Sequence, residues 1–540
     1  MTVLPGAKPQ ARTRGLAAVV AGLLVCCLFA IADEVTAATP VARIPWTVGD
    51  DGYADPPRIE GPRVGSSRVF WIEGTRVFSA PISGGETRTE FNLETSLPSY
   101  VTSWAPLPGD LTSPRTVTRR AIAAAGQRFS AGLRIDVIHE ACLPSAQLNG
   151  DCTRPTHETL FDGAWLDGGG GEPDALEATD TGSGGTICDR VAEPQLAVNS
   201  DRVITSASCL RSGNAVLHSE PLRGSTPRSR EAELPSDRVL IDLQMSDSLL
   251  VAALKSSGGE VELSSFNPTT LEPQTTVSFG ALTVRGCSNT SQPPLGWALD
   301  GNRIVLVCGD ATISSLDLAG RASVNLGRVN LGGDQPIVPA LSSVRRVWAR
   351  DGTVLVRIPA TTDPTPNRSG LYAVSSGTTH KLDSDDEGDA DVGGSAVAFR
   401  RSECLTTAIY APTRPLSAAS APGATPCPLP RLTSQSSQLA ARNLARIAIE
   451  CPQPGPLGCA GTAVFEHAYK PKTSSPVRWR RLGARPQYAV ASNSQGTVGS
   501  YLDKRAIEYL SRGGSLPMRV RFAQSGGSGT AVQEFTVTAG

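Results

Sequence analysis

The sequence lacks several features that common function classes need. Its 540 residues carry 50 Lys and Arg against 51 Asp and Glu, so no overall positive field is available to hold nucleic acid. Aromatic residues make up only 5% of the chain, which leaves few platforms for carbohydrate. The five His are scattered, and neither a His-Glu-x-x-His zinc motif nor a Gly-x-Ser-x-Gly nucleophile turn occurs. These absences disfavour a nucleic-acid binder and leave no recognisable catalytic motif.

Only one apolar run approaches the length of a membrane span. Residues 16–32 are apolar, follow three basic residues and precede the small-x-small sequence Val35-Thr36-Ala37. This is the pattern of a secretory signal peptide covering residues 1–37. The mature chain is therefore predicted to be secreted or held at the cell surface, with no membrane span of its own. An uncleaved anchor stays open, because about 17 apolar residues is the lower limit for crossing a bilayer.

The cysteines agree with export. Two of the twelve lie in the apolar run, which leaves an even number in the mature chain. No Cys-x-x-Cys pair or nearby His offers zinc-ligand spacing, so disulfides are favoured over a metal site. Sequence alone does not fix their pairing, but nearest neighbours would form five short loops. The ten candidates are Cys142, Cys152, Cys188, Cys209, Cys287, Cys308, Cys404, Cys427, Cys451 and Cys459.

Short apolar runs of β type recur between residues 60 and 405. Most are 43–54 residues apart, one gap is 82 residues, and most follow a tight-turn pair such as Asp300-Gly301. A second strand follows each run at hairpin distance, so one unit has room for four short strands, as in a β-propeller blade. A string of β-sandwiches is the alternative. The seven markers are Val69, Ile122, Ile204, Leu250, Ile304, Val354 and Val397.

On these repeats, with Leu299-Asp300-Gly301-Asn302-Arg303-Ile304-Val305 as the clearest copy, residues 58–430 resemble the seven-bladed β-propellers of the WD40 and TolB-like kind. The resemblance implies an all-β fold and names no activity, because propellers host both binding proteins and enzymes. Residues 38–57 would be an N-terminal segment. Residues 140–187, which hold two Gly-rich stretches, would be an insertion in the propeller. Such insertions often contact ligands, so this segment is a candidate for ligand binding on its position alone.

The last hundred residues form a separate predicted unit. A linker at residues 431–439 leads into residues 440–540, where Cys459-Ala460-Gly461-Thr462 and Leu510-Ser511-Arg512-Gly513-Gly514 resemble a small Ig-like β-sandwich of exported bacterial proteins. Asp503 is placed to cap a short helix that ends at the glycine pair. This unit has thirteen Lys and Arg against five Asp and Glu, so an anionic cell-envelope polymer is a candidate partner.

One acidic segment has the spacing of a calcium loop. Its oxygen ligands alternate along the chain, and Gly388 provides the turn. This arrangement resembles the calcium loops of integrin-type propellers, with a Glu at the fifth position as a departure. A solvated acidic turn between two blades is the alternative. The candidate Ca²⁺ ligands are Asp383, Asp385, Glu387, Asp389 and Asp391.

Two functions follow from the sequence. The first is an exported, non-enzymatic binding or scaffold protein whose ligand is extracellular or part of the cell envelope. The second is an extracellular hydrolase or lyase with its site in the central funnel of the propeller. The side chains that line that funnel would distinguish them.

Overall fold

The computed structural model describes a β-propeller followed by a second β unit. It describes residues 38–48, 54–97, 115–126, 128–139, 156–166, 174–177, 195–207, 215–221, 230–287, 296–318, 324–329, 347–358, 370–383, 388–417, 420–423, 425–440, 443–452, 457–470, 476–483, 486–525 and 529–539. Within these ranges, no helix has the length and apolar character needed to cross a membrane.

The described residues begin with three short strands. They are β1 (Pro40–Pro45), β2 (Thr47–Val48) and β3 (Ala54–Asp55). The strands β2 and β3 pair with each other as a hairpin.

Six blades follow, each an antiparallel sheet of four consecutive strands. Blade 1 contains β4 (Ile59–Val64), β5 (Arg68–Glu73), β6 (Arg76–Pro81) and β7 (Arg88–Asn92). Blade 2 contains β8 (Arg115–Ala125), β9 (Arg128–His139), β10 (Thr156–Leu166) and β11 (Asp174–Glu177). Blade 3 contains β12 (Leu196–Val198), β13 (Arg202–Ala207), β14 (Val216–Pro221) and β15 (Arg230–Glu233). Blade 4 contains β16 (Arg238–Met245), β17 (Leu250–Ser256), β18 (Val261–Phe266) and β19 (Pro273–Ser278). Blade 5 contains β20 (Gly296–Asp300), β21 (Arg303–Val307), β22 (Thr312–Asp317) and β23 (Val324–Arg328). Blade 6 contains β24 (Val347–Arg350), β25 (Thr353–Ile358), β26 (Gly370–Ser375) and β27 (Thr378–Asp383). A 3-10 turn at Leu93–Ser96 follows β7, and helix α1 (Phe279–Gly286) follows β19.

A further four-stranded sheet joins the two ends of this region. It contains β28 (Ala390–Val392), β29 (Val397–Glu403), β30 (Thr406–Tyr410) and the N-terminal strand β1, which pairs antiparallel with β30. We call it the closing sheet. The first strand of each of the six blades contacts the first strand of the next, and β28 of the closing sheet contacts both β24 and β4.

The second strand of each blade explains the apolar runs in the sequence. In β21, Ile304 and Leu306 pack against blade 4, while Val305 and Val307 pack against blade 6. Because both faces of such a strand are buried, its sequence is continuously apolar instead of alternating. The markers Val69, Ile204, Leu250, Ile304, Val354 and Val397 all lie in or at the start of second strands.

The marker Ile122 is the exception. It lies in β8, the first strand of blade 2, whereas the equivalent second strand is β9. The prediction that Ile122 is equivalent to the other markers is wrong, because the last five residues of β8, Ala121–Ala125, are continuously apolar and imitate a second strand. Residues 156–166 and 174–177, which the sequence analysis placed in an insertion, form β10 and β11 of the same blade.

The C-terminal unit begins within the predicted linker. Its strands are β31 (Arg431–Leu432), β32 (Ser436–Ala440), β33 (Leu444–Glu450), β34 (Cys459–Tyr469), β35 (Arg478–Arg481), β36 (Gln487–Val490), β37 (Gln495–Tyr501), β38 (Ser515–Gln524) and β39 (Thr530–Thr538). They are hydrogen-bonded in the order β31-β33-β32-β39-β38-β34-β35, with β36 on β34 and β37 on β33. Alternate residues of β34, including Ala463 and Phe465, are buried in a core of their own.

Helix α2 (Lys504–Gly513) has the predicted ends. The Asp503 side chain accepts a hydrogen bond of 2.8 Å from the Ala506 N–H. Gly514 follows with a φ of 70°, a left-handed conformation in which Gly is the least strained residue.

Three of the five disulfides expected between neighbouring cysteines are present. They are Cys287–Cys308, Cys404–Cys427 and Cys451–Cys459, with Cα separations of 5.6, 5.1 and 5.6 Å. The remaining four cysteines of the predicted mature chain lie outside the described residues, so their pairing stays a prediction. They are Cys142, Cys152, Cys188 and Cys209.

The C-terminal unit meets the propeller at the turn between β29 and β30. The Gly458 N–H donates to the Cys404 carbonyl at 2.8 Å, and a Cβ at Gly458 would lie 2.8 Å from the Leu405 side chain. The disulfide from Cys404 leads to Cys427, whose N–H donates to the Ser525 carbonyl at 3.1 Å. The two units therefore contact each other through a backbone hydrogen bond, and the disulfide holds the segment that leads into the C-terminal unit against the propeller.

Candidate functional site

The candidate site is the channel enclosed by the first strands of the six blades and of the closing sheet. It forms a cavity of about 680 Å³, within the range of small-molecule sites. Each of the seven sheets contributes residues to its wall. The charged wall residues are Glu60, Arg63, Arg120, Asp242, Asp247, Asp300, Arg350, Asp351, Arg357, Asp389, Asp391 and Arg400. Within the described part of the chain, the wall contains no His, Cys, Lys or Tyr.

One group of charges lies where blade 1 meets the closing sheet. Arg63 Nη1 donates to Asp389 Oδ2 at 2.6 Å, and Asp391 Oδ2 accepts from the Val64 N–H at 2.7 Å. Burial opposes the charge of Arg63, but Asp389 and Asp391 outweigh it and raise the pKa of Arg63 above its usual value. Burial raises the pKa of Asp391, although Arg63 and the Val64 N–H favour its ionised form. These contacts hold blade 1 and the closing sheet together, although the bonded residues are more than 300 positions apart in sequence.

Polar side chains also join neighbouring blades at the turns between first and second strands. The Asp300 carboxylate accepts from the Asp351 and Gly352 N–H groups at 2.7 and 2.9 Å. Asn199 Nδ2 donates to the Ser246 carbonyl at 3.2 Å. This end of the channel is therefore a rim of hydrogen-bonded turns, with positive φ at Asp351 and Gly352.

Deeper in the wall, Gln244 connects two blades. Its Nε2 donates to Asp242 Oδ2 at 2.9 Å, and its Oε1 accepts from the Leu299 N–H at 2.8 Å. Since both ends of the amide are satisfied, its orientation is fixed.

The opposite end of the channel leads into a second cavity of about 650 Å³, which we call the arginine mouth. Its charged lining residues are Arg58, Glu60, Arg119, Arg120, Arg400 and Arg401. Glu60, Arg120, Gly388 and Arg400 line both cavities, so the two spaces meet. Among the described lining residues, five arginines meet one carboxylate, so positively charged side chains predominate at this end of the channel.

The arginines of the mouth differ in their partners. Arg401 Nε lies 3.5 Å from Asp383 Oδ1 and 3.6 Å from Glu403 Oε1. Arg400 donates to the Ile59 carbonyl, and its side chain passes over Gly388, where a Cβ would lie 3.1 Å from Arg400 Cγ. Arg120 differs, because its Nε is buried without a hydrogen-bond partner in the described part of the chain. Burial lowers the pKa of Arg120, and the charge of Arg58 lowers it further, against an opposing effect of Glu60.

Three of the five predicted calcium ligands can be placed. Asp389 and Asp391 lie beside Arg63, while Asp383 lies at the end of β27 beside Arg401. Asp385 and Glu387 lie outside the described residues. Among the residues that the structure describes, no group of three His, Cys, Asp or Glu is arranged to hold a metal ion. Calcium binding by this loop stays a prediction.

Sequence reasoning did not find Arg58, Arg63 or Arg120. These side chains come from first strands and the segments before them, far apart in the chain, and no fixed spacing marks them. The available signal was compositional: the chain uses Arg far more than Lys, as it would if planar cations were needed in partly buried positions.

Comparisons with known proteins give distant similarities only. No protein-family model matches the chain, and no curated protein matches it. The β-propeller domain of the Trilobed protease from Pyrococcus furiosus is similar at 10% identity and a TM-score of 0.31, over 66% of this chain and 97% of that one. A structure from a study of two prolyl endopeptidases gives 11% identity and a TM-score of 0.36, over 81% of this chain and 59% of that one. Puromycin hydrolase gives 12% identity and a TM-score of 0.36, over 77% of this chain and 62% of that one.

At these TM-scores the likeness carries no argument about function. The chain spans about three fifths of the length of the last two structures. The class of protein rests instead on the strand order and the contacts between first strands, which define a β-propeller with a charged central channel.

Proposed function

We propose that the chain is an exported binding protein that holds its ligand in the central channel. The observation that supports this most is the channel wall, in which charged and amide groups from separate sheets surround about 680 Å³. A concave site with a few fixed polar groups is typical of small-molecule binding. Many of those groups are already held by partners on neighbouring blades, so the site is organised before a ligand arrives.

The proposed architecture has seven blades, with the closing sheet as the seventh. Its support is the four-stranded order of that sheet and the contact of β28 with both β24 and β4. Pairing one N-terminal strand with three C-terminal strands would tie the two ends of the ring together through the hydrogen bonds of β1 with β30.

Export and the C-terminal unit complete the proposal. Three disulfides are favoured outside the cytosol, in agreement with the signal peptide predicted at residues 1–37. Residues 440–540 are proposed to be an Ig-like module. The excess of Lys and Arg there would suit an anionic polymer of the cell envelope.

The alternative is a hydrolase or lyase in the same channel. The observation that favours it is Asp391, a carboxyl group in the channel wall whose pKa is raised by burial. Such a group can serve as a general acid. Its carboxylate is, however, already engaged by the Val64 N–H and lies beside Arg63.

A screen that measures both binding and turnover tests the proposal. The mature chain would be incubated with separate small dicarboxylates, sugar phosphates, peptides and sugars, followed by melting-temperature measurement and mass spectrometry of each recovered compound. We expect at least one compound to raise the melting temperature and to be recovered unchanged.

A channel-filling variant locates the binding. Ala121→Trp places a large ring in the channel wall, and Thr89→Trp places the same ring on the exposed outermost strand of blade 1. The stabilisation should disappear in the first variant and persist in the second; Val198→Trp serves if Ala121→Trp does not fold. Equal stabilisation in all variants contradicts the channel as the site, and turnover that the channel variants lose establishes the enzyme alternative.

A further inference from the structure

The arginine mouth gathers more positive charge than its described surroundings neutralise. Five of its six charged lining residues are arginines, and the sixth is Glu60. Arg401 already has two carboxylate neighbours, Asp383 and Glu403. Arg58 and Arg120 have no ion pair or side-chain hydrogen bond with any described residue, although both line the same cavity.

Placing Arg120 here costs stability, because part of its guanidinium is buried without a hydrogen bond to a described residue. Its Nε is shielded from water and makes no hydrogen bond to a described residue, so the group loses hydration. Burial is the largest effect on the pKa of Arg120 and lowers it; Glu60 and Glu94 oppose burial, and the charge of Arg58 adds to it. Unsatisfied buried donors of this kind are uncommon in native proteins and mark places where a bound molecule completes the contacts.

We propose that the arginine mouth binds a small oxyanion, a carboxylate or a phosphate, through the guanidinium groups of Arg58 and Arg120. This inference rests on the proposed binding function of the channel and specifies the chemistry of its ligand. Guanidinium groups present paired N–H donors that match two oxygens of a carboxylate or phosphate.

The geometry around Arg400 supports this choice. Because Gly388 has no side chain, Arg400 lies flat against the backbone and donates to the Ile59 carbonyl. A Cβ at Gly388 would lie 3.1 Å from Arg400 Cγ, so a side chain there would displace Arg400. Arg400 is therefore held by the Ile59 carbonyl at the wall of the cavity that Arg58 and Arg120 also line.

Calorimetry with defined anions tests the proposal. The folded, disulfide-bonded chain would be titrated with sodium phosphate and, separately, with sodium citrate, at an ionic strength held constant with chloride. We expect saturable binding of at least one anion. Arg120→Gln and Arg58→Gln should each weaken it at least tenfold, and Arg120→Lys should retain part of it.

The matched control is Arg88→Gln. It removes an exposed arginine from β7 of blade 1 and should leave the affinity for the anion unchanged. Thermal unfolding provides a second readout. Without anion, Arg120→Gln should melt no lower than the wild type, because it removes a guanidinium whose Nε is buried without a hydrogen bond to a described residue. The binding anion should raise the melting temperature of the wild type and not that of Arg120→Gln.

The separate titrations with phosphate and citrate, together with the channel-filling variants, distinguish the possible results. Preference for phosphate or for citrate assigns the ligand class. Binding that Arg88→Gln weakens as much as Arg120→Gln would show a diffuse charge effect and overturn the site. No binding of either anion also overturns it, and the proposed function would survive that result only if another compound binds in the wild type and not in Ala121→Trp.

Discussion

At the scale of single residues, Glu403 shows how a buried charge is placed in this protein. Its side chain is 2% exposed, and Arg43 Nη1 donates to Oε2 at 2.6 Å. The Tyr410 hydroxyl donates to Oε1 at 2.5 Å, and the Thr425 hydroxyl donates to Oε2 at 3.3 Å. Burial, and next the bond to Glu403, raise the pKa of Tyr410. The carboxylate therefore connects β1, β30 and the segment just before Cys427.

Replacing this carboxylate should destabilise the propeller strongly. Glu403→Ala leaves Arg43 and Tyr410 without their partner, and breaking a buried ion pair in this way costs about 3 kcal/mol. Urea unfolding measures the free energy of unfolding directly. Glu86→Ala, at an exposed position, is the control and should stay within about 0.5 kcal/mol of wild type. Similar values for the two variants would contradict the network.

His218 makes stability depend on pH. Its Nε2 is buried without a hydrogen-bond partner among the described residues, and Nδ1 lies 3.2 Å from Glu231 Oε1. Burial lowers the pKa of His218, and Glu231 opposes that effect without cancelling it. The unfolded chain, with a His pKa of about 6.5, then binds more protons than the folded chain below that pH.

The free energy of unfolding should therefore fall as the pH drops below about 6.5 and be fully present above it. Replacing the imidazole in His218→Gln should flatten this dependence. Urea unfolding of both proteins at several pH values between 5 and 7.5 would check it. Parallel curves for wild type and variant would show that other groups carry the dependence.

At the scale of elements, β1 has a larger role than its position suggests. Val41 and Ile44 are buried in a core that blade 1 and the closing sheet share. Trp46 Nε1 donates to the Thr407 hydroxyl at 3.1 Å. The sequence analysis described residues 38–57 only as an N-terminal segment, because pairing with a strand over 360 positions away leaves no local signal.

Shortening Ile44 tests this closure. Ile44→Ala removes buried methyl groups and should lower the free energy of unfolding by about 2–4 kcal/mol. Hydrogen exchange should accelerate at the β30 amides, Thr406–Tyr410, and stay unchanged in β38. Val532→Ala, at a side chain that is 46% exposed, is the control. Unchanged exchange in β30 would mean that β1 does not hold the closing sheet.

The strands were more predictable than the site. The second strands were found because burial of both faces makes them continuously apolar, and α2 was found because Asp503 and the glycine pair mark its ends. Ile122 was misassigned because a first strand can be equally apolar. The channel wall could not be predicted, because Arg63 and Asp389 meet only when the sheets close into a ring.

At the scale of the whole molecule, a formal net charge of −1 conceals an uneven distribution of charge. Arginines gather at one end of the channel, hydrogen-bonded turns form the other end, and Lys and Arg predominate in residues 440–540. Two regions could therefore attract anions: the channel, where the donors are enclosed, and the surface of the C-terminal unit. The channel offers a cavity of about 680 Å³ with fixed polar groups in its wall, which can orient a small molecule.

Anomalous scattering can locate a bound oxyanion and so show directly whether Arg58 and Arg120 bind one in the arginine mouth. Selenate has the tetrahedral geometry of phosphate, and crystals of the mature chain grown with it would reveal its position. We expect an anomalous peak in the arginine mouth, with oxygens about 3 Å from the nitrogens of Arg58 and Arg120. Peaks confined to the surface of residues 440–540, with none in the channel, would contradict it.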